Sequence, residues 1–453
     1  MKKIAIYIAL SGWMLTSCGT YSRYHRPDIS TENLYRNLSA DIDTTTIASL
    51  SWREMFTDPK LQSLIEAGLE RNIDLNVARL RVKAAEASLI TAKLSYIPSL
   101  DLNAEGNANK QDGATAKTYN VGTSASWELD IFGKLTAAKR GASAALQGSR
   151  DYQQAVQTQL IATIADSYYT LAMLDAQMTI SNRTLENWRA TIRTLEALKK
   201  VGKSNEAGVL QAKANVMQLK ASRLSIYKSI SETENALSAI LAMPSHPIER
   251  GKLAEASFPD TISIGIPLHL LSNRPDVRQA EMELAREFYA TNVARAAFYP
   301  NITLSGTLGW THNGGGIVVN PGQWLLNAIG VLTQPLFNRG TNIANLKIAK
   351  TRQEEAKLLF QQSLLNAGKE VNDALTAWQT AKSQIEINAR QVETLCDAVR
   401  KTESLMRHSN TTYLEVLTAQ QSLLDAELLQ IQICFDRIQS VINLYHALGG
   451  GKL

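Results

Sequence analysis

No run of eighteen or more apolar residues follows the N-terminus, so no helix here is long and apolar enough to cross a bilayer. Any membrane-spanning part must be built from strands. Basic runs interleaved with aromatics are missing too, so the formal net charge of +5 does not point to nucleic acid. The six histidines, His25, His246, His269, His312, His408 and His446, are scattered, and no pair has metal-ligand spacing. No metal site is expected. Gly202-Lys203-Ser204 resembles the tail of a phosphate-binding loop, but Ala197 replaces the earlier glycine and no strand precedes it. No nucleophile elbow occurs. No catalytic residue is assigned, and enzyme activity is not expected. Cysteines number three in 453 residues: Cys18, Cys396 and Cys434. The last two lie in helical segments, where cysteine behaves as a small buried hydrophobe. The sequence leaves open whether they pair.

Proline is absent between Pro98 and Pro244, and again after Pro335. The first gap holds a continuous helical pattern from Lys134 to Leu198. Apolar residues recur at Leu160, Ile164, Tyr168, Leu171, Leu174 and Met178, in steps of three and four. Such a helix is roughly 100 Å long at 1.5 Å per residue. The second gap holds a matching run, Thr341 to Met406. Helices of this length need a coiled coil, a long bundle or a tube.

The chain repeats itself. Asn72-Ile73-Asp74-Leu75 answers Arg274-Pro275-Asp276-Val277, and Tyr96-Ile97-Pro98 answers Phe298-Tyr299-Pro300, both at an offset of 202. Ile131-Phe132-Gly133 answers Leu336-Phe337-Asn338 at 205, and Val209-Leu210-Gln211-Ala212 answers Val416-Leu417-Thr418-Ala419 at 207. Preserved order with a slowly drifting offset indicates a duplication with small loop insertions. Each half reads helix, strand, turn, strand, very long helix, turn, helix.

Strands are expected over about 97–109, 119–132, 299–312 and 322–336. After Pro300, Ile302, Leu304, Gly306, Leu308 and Trp310 share one parity; Thr303, Ser305, Thr307 and Gly309 share the other. In the second strand Val121, Thr123, Ala125, Trp127, Leu129 and Ile131 oppose Gly122, Ser124, Ser126, Glu128 and Asp130. The fourth alternates poorly. Polar loops, Lys110–Thr118 and Thr311–Gly322 with Gly314-Gly315-Gly316, read as hairpin connections. Strands of nine to eleven residues with one apolar face suit a bilayer. Tyr96, Tyr119, Phe132, Phe298, Tyr299, Trp310 and Trp324 stand near their ends, where aromatics favour the water–lipid interface. A soluble antiparallel sheet with one wet face would show the same alternation. Four strands cannot close a barrel, and an open edge in lipid leaves backbone groups unsatisfied. Two copies would give eight strands and three would give twelve; spacing alone does not choose.

The N-terminus supplies an address. Lys2 and Lys3 precede an apolar Ile4–Leu10 segment, followed by Leu15-Thr16-Ser17-Cys18-Gly19. This resembles a bacterial lipoprotein signal cleaved before Cys18, whose acyl chains hold the end at a membrane at about 0.8 kcal/mol per methylene. An ordinary secretory signal with an incidental cysteine is the alternative. The residue after Cys18 is not Asp, so no inner-membrane retention signal of the enterobacterial kind is present. No cofactor is expected beyond a covalent acyl and diacylglycerol lipid on Cys18.

Four stretches carry a family resemblance across essentially the whole mature chain. They are the lipobox at Cys18, Trp127-Glu128-Leu129-Asp130-Ile131-Phe132-Gly133-Lys134, Arg274-Pro275-Asp276-Val277-Arg278-Gln279-Ala280-Glu281, and Phe298-Tyr299-Pro300. The chain resembles the TolC-like outer-membrane efflux factors, in their lipoprotein (OprM- and NodT-like) branch. That resemblance implies a fold that is mainly α with transmembrane β. It implies a homotrimer: three protomers give four strands each to a 12-stranded outer-membrane barrel, and their long helices form a periplasmic tunnel. The expected divisions are a signal peptide at 1–17, a lipid-anchored segment at 18–56, and repeats at 57–250 and 251–453. Expected partners are a periplasmic adaptor, an inner-membrane RND-type pump and outer-membrane lipid. The expected function is a passive conduit exporting small amphiphilic or toxic compounds. A duct for type I-like protein secretion and a non-channel structural lipoprotein are the alternatives.

Residue roles follow from position and from the resemblance together. Gly133 stands where strand gives way to helix, beside Phe132, and glycine allows the sharp backbone change. Glu128 and Asp130 lie on the polar parity and would face the lumen. Pro275-Asp276 suits a helix start, and Arg274 ties neighbouring segments. Relatives close their tunnels at the periplasmic helix tips with rings of acids. The matching turns here are Val201–Glu206 and His408–Tyr413. Glu415 is the first gate candidate and Glu206 the second. The acid expected just before Val209 is replaced by Gly208, and the second acid expected after Glu415 is replaced by Thr418.

Overall fold

The computed structural model describes residues 21–28, 50–111, 114–258, 274–312, 323–407 and 412–451. The signal peptide and Cys18, the Gly314–Gly316 loop and the turn at 408–411 lie outside the described residues.

Each repeat has the same order of elements. After the short helices α1 (Trp52–Met55) and α2 (Pro59–Arg71), the first repeat runs α3 (Ile73–Leu94), β1 (Ser99–Gln111), β2 (Ala114–Leu129), α4 (Lys134–Lys200) and α5 (Glu206–Ile240). The second runs α6 (Pro275–Ala296), β3 (Asn301–His312), β4 (Gln323–Thr333), α7 (Thr341–Arg407) and α8 (Tyr413–Ala447). Helix lengths match pairwise: 22 residues in α3 and α6, 67 in α4 and α7, 35 in α5 and α8. The lack of proline lets α4 and α7 run uninterrupted.

Two compact units result, and the long helices contribute to both. The described part of the first holds 21–28, 80–111, 114–151, 278–312 and 323–363. Its centre is one antiparallel sheet in the order β1-β2-β3-β4. Across it, Leu102 stands opposite Thr123, Thr123 opposite Leu308 and Leu308 opposite Leu326. Two residues along, Leu100, Ala125, Gly306 and Ala328 form the next row. The rows between are Asp101, Ser124, Thr307 and Asn327, then Ser99, Ser126, Ser305 and Ile329. One face is therefore apolar. The other is polar over β1 to β3 and mixed in β4, which is why β4 alternates poorly. The first hairpin differs from expectation. Residues 110, 111 and 114–118 pair in the ladder, so the polar stretch expected as a loop is mostly strand. A polar face toward water costs a ladder nothing, so polarity alone does not mark the turn.

The second unit holds described residues 50–79, 152–258, 274–277, 364–407 and 412–451. Its core joins Trp52, Phe56, Tyr168, Leu171, Phe435, Ile442 and Tyr445 from α1, α4, α8 and the chain between. The Tyr445 hydroxyl donates to the Leu50 carbonyl at 3.0 Å and accepts from Gly451 N at 2.8 Å. Burial pushes this phenol up to about 12. Cys396 and Cys434 are both free. Cys396 is exposed rather than a buried hydrophobe, which corrects that expectation; Cys434 is half-buried.

Candidate functional site

The strand-to-helix motif assembles at the foot of the sheet. Strand β2 ends at Leu129, so Asp130 lies past the strand and is not one of its face residues. Its carboxylate accepts from Leu135 N at 2.8 Å, Thr136 N at 2.9 Å and Thr136 Oγ1 at 2.6 Å. Those donors are first-turn groups of α4 with no intrahelical acceptor, and a carboxylate there also meets the positive end of the helix dipole. Alternation continues into a helix start when the capping acid falls on the strand's polar parity, which is why the pattern alone puts Asp130 on the strand. Glu128 remains in β2 and pairs with Lys134 Nζ at 2.8 Å. Gly133 has φ +73°, and a Cβ there would meet Tyr21 at 3.1 Å. Phe132 stacks on Tyr299 with centroids 5.1 Å apart. Trp127 Nε1 donates to the Tyr96 carbonyl at 2.9 Å, and Tyr96 shares a 2.8 Å hydrogen bond with Thr136. The strand ends are thus clamped by aromatic and polar contacts to the helix they feed.

In the second unit Arg274, only 3 % exposed, gathers three segments. It grips Asp276 in bidentate fashion at 3.0 and 2.7 Å. It donates to Glu370 of α7 at 2.7 Å and to the carbonyl of Ala447, the last residue of α8, at 3.0 Å. Pro275 opens α6. Burial would raise the Asp276 carboxyl, but the Arg274 guanidinium overrides it and holds the group below the usual carboxylate range. His446 beside this node is held below the ordinary imidazole value, first by burial and then by the Arg274 charge. The sign follows directly. A base depressed in the folded state is protonated first in the unfolded chain, so stability falls as pH drops below the unfolded histidine value of about 6.5. Loss of the Asp276 contribution begins lower, below about 4. We expect the unfolding midpoint to decline from about pH 6.5 to 5, and His446→Gln to flatten that decline. An unchanged slope in the variant would remove His446 from this role.

The helix tips form the third site. Lys203 N donates to the Leu198 carbonyl at 2.9 Å, closing α4, and Asn205 Oδ1 accepts from Gly208 N at 3.0 Å, capping α5. Glu206 pairs with Lys199 across the turn. Glu415 lies in the first turn of α8 and is exposed. A feature the sequence does not mark is Tyr413. Its ring sits on Gly208, where a Cβ would lie 2.7 Å from Tyr413 Cγ. This contact explains the missing acid: no side chain fits at 208 while Tyr413 is seated. Beneath it Leu195, Val209, Ala212, Met406, Val416 and Leu417 pack together. A polar layer follows, in which Gln420 Nε2 donates to Thr191 Oγ1 at 2.9 Å and to Glu403 Oε1 at 2.8 Å. Leu185, Trp188, Val216, Leu219 and Leu424 form the next apolar layer. Glu206 and Glu415 decorate a tip that is held by packing.

Comparison with known proteins agrees with this architecture. The sequence profile of the family "Outer membrane efflux protein" matches residues 64–243 and 267–450. The "Cation efflux system protein CusC" of Escherichia coli O6:H1 is 29 % identical over 464 residues, covering 99 % of this chain and 98 % of that one. The "Probable outer membrane lipoprotein SilC" of Salmonella typhimurium is 28 % identical, covering 100 % of this chain and 99 % of that one. The solved outer-membrane channel OprN superposes with a TM-score of 0.88 at 26 % identity, covering 96 % of this chain and 99 % of that one. The two profile segments fall on the two repeats, and the fold is mainly α with transmembrane β. The chain belongs to the outer membrane efflux protein family, and it is the outer-membrane channel component of an efflux system.

Proposed function

We propose that three copies close a 12-stranded barrel and that the assembly is a passive conduit from periplasm to exterior. The observation that carries this is the sheet: one face is apolar, and β1 and β4 each pair on one side among the described residues. In lipid those edges must be paired, and β4 of one copy joining β1 of the next closes the ring without a free edge. Twelve strands leave a lumen, whereas eight are filled by side chains. The polar face then lines the lumen with Ser, Thr and Asn, which suits unselective passage.

The N-terminal lipid on Cys18 adds an anchor beside the barrel. The name of SilC, an outer membrane lipoprotein, supports this reading. A periplasmic adaptor and an RND-type inner-membrane pump complete a tripartite machine and supply its energy. The cargo class is small amphiphilic or cationic compounds; the cation efflux named for CusC supports the cationic part. At the tips, Glu415 repeated by symmetry forms a ring of charge that raises cation occupancy, with Glu206 as a secondary contributor. In planar-bilayer recordings Glu415→Ala is expected to lower cation selectivity. Unaltered selectivity and conductance would end the gate assignment. A chain that became monomeric and water-soluble once Cys18 was replaced would end the channel reading.

A further inference from the structure

The second unit holds a cavity of about 330 Å3 between the start of α2, the middle of α4 and the chain at 251–257. That volume suits one small organic molecule. The rim is exposed and polar: Thr57, Lys60, Lys252, Glu255 and Ser257. The floor is Tyr168, Tyr169 and Ala172, which are 1, 4 and 3 % exposed.

The walls are stapled together. Asp58 caps α2 by accepting from Lys60 N at 2.9 Å, and its other carboxylate oxygen accepts from the Tyr168 hydroxyl. That hydroxyl in turn accepts from Gly251 N at 2.8 Å. Lys60 Nζ donates to the Arg250 carbonyl at 3.3 Å. Arg250 is held by Asp175 at 2.6 and 2.9 Å and by Glu234 at 2.6 Å. The close approach needs glycine at 251, because a Cβ there would lie 2.9 Å from Asp58 Oδ2. The cavity is thus pre-formed, as small-molecule sites generally are.

Tyr169 is the residue that packing does not explain. Its ring meets Tyr168 edge-on and Phe258 at a tilt, with centroids 5.4 and 5.7 Å apart. Its hydroxyl has no hydrogen-bond partner among the described residues. A buried phenol normally finds one. The fold does not demand a phenol at this point: at the 207-residue offset of the repeat, Tyr168 and Tyr169 answer Leu375 and Thr376. Burial, and then the Asp58 charge, push the Tyr169 phenol up, so it stays a neutral donor. The charges lining the cavity balance, Lys60 and Lys252 against Asp58 and Glu255. An anion would meet two carboxylates, and a cation would meet two ammonium groups. A neutral polyol suits both, since a hydroxyl accepts from an ammonium and donates to a carboxylate.

We propose that this cavity binds one pyranose ring of a sugar, with one ring hydroxyl on the Tyr169 hydroxyl and its neighbours on Asp58 and Lys252. The source is a free sugar or a glycan strand of the cell wall; both present the same vicinal hydroxyls. The site does not rest on the conduit reading, which stands if the site fails.

The test uses the full-length protein extracted from membranes into a detergent without a sugar headgroup. Titration calorimetry and saturation-transfer NMR take N-acetylglucosamine, its β1,4-linked tetramer and alanine as probes. Both saccharides should bind. Alanine, which offers one acid and one amine, should not. Tyr169→Phe removes only the unpaired hydroxyl; it should weaken saccharide binding about tenfold and leave the unfolding temperature unchanged or higher. Lys252→Ala changes an exposed side chain and should weaken binding in the same direction. Thr376→Val, at the matching position of the second repeat, should leave binding as it is. Tighter binding of the tetramer than of the monomer assigns the site to a glycan strand, and equal affinities assign it to a free sugar. Failure of both saccharides to bind, binding of alanine in their place, or a Tyr169→Phe protein that binds them as the parent does overturns the site.

Discussion

Arg274→Met is expected to lower the stability of the second unit by about 3 kcal/mol. Methionine keeps most of the volume, so packing loss is small. What is lost is the buried hub that holds Asp276, Glu370 and the Ala447 carbonyl together. Asp276 and Glu370 are each nearly half exposed and recover hydration in part, which keeps the cost at the lower end of the range for a broken buried pair. The Ala447 carbonyl recovers less, because Ala447 is 2 % exposed. Asp276→Asn, which keeps the hydrogen-bonding shape and removes one charge, should cost about 1 kcal/mol. The denaturant midpoint of the helical circular dichroism checks both. Equal losses for the two variants would show that Arg274 acts as a packing residue and not as a charged hub.

Gly208→Asp is expected to open the tip. A Cβ at 208 overlaps the Tyr413 ring, so the ring must leave its seat. Overpacking of this kind costs about 2 kcal/mol. If closure depends on Tyr413 remaining seated, the open-to-closed ratio rises roughly thirtyfold, since each 1.4 kcal/mol is a factor of ten. Single-channel recordings should then show more frequent or larger openings. Tyr413→Ala removes the same contact without adding a charge and should act in the same direction. If Gly208→Asp opened the channel and Tyr413→Ala did not, the introduced charge and not the unseated ring would be the cause. If neither altered the recordings, the tip contact would not be part of the gate.

Helices α4 and α7 are legible because an unbroken 3.6-residue pattern without proline has one regular solution, and their observed ends, Lys134–Lys200 and Thr341–Arg407, fall within two residues of those expected. The strands are legible from period-two alternation. Their ends are less so, because a ladder with a wet face tolerates polar residues: β2 begins at Ala114, well before the apolar pattern starts, and stops at Leu129, short of Asp130. The duplication is legible as four matched motifs, and the equal helix lengths bear it out.

The site residues divide by sequence distance. Pro275, Asp276 and Gly133 can be placed from local chemistry, since a helix start and a strand-to-helix break are properties of a few neighbouring residues. The Arg274–Glu370 bond spans 96 residues, and Tyr413 lies 205 positions from Gly208. No local pattern encodes such pairs.

By itself the sequence determined the element types, the helix lengths and the repeat, because backbone periodicity and turn chemistry act over a few residues, while its quoted motifs carried the family resemblance. Tertiary structure decided which faces of the repeated helices are covered. Leu424 and Met217 occupy equivalent positions, yet one is buried and the other is open. Equivalent residues read alike along a chain, and only folding brings α4 against α8 while leaving the matching side of α5 exposed among the described residues.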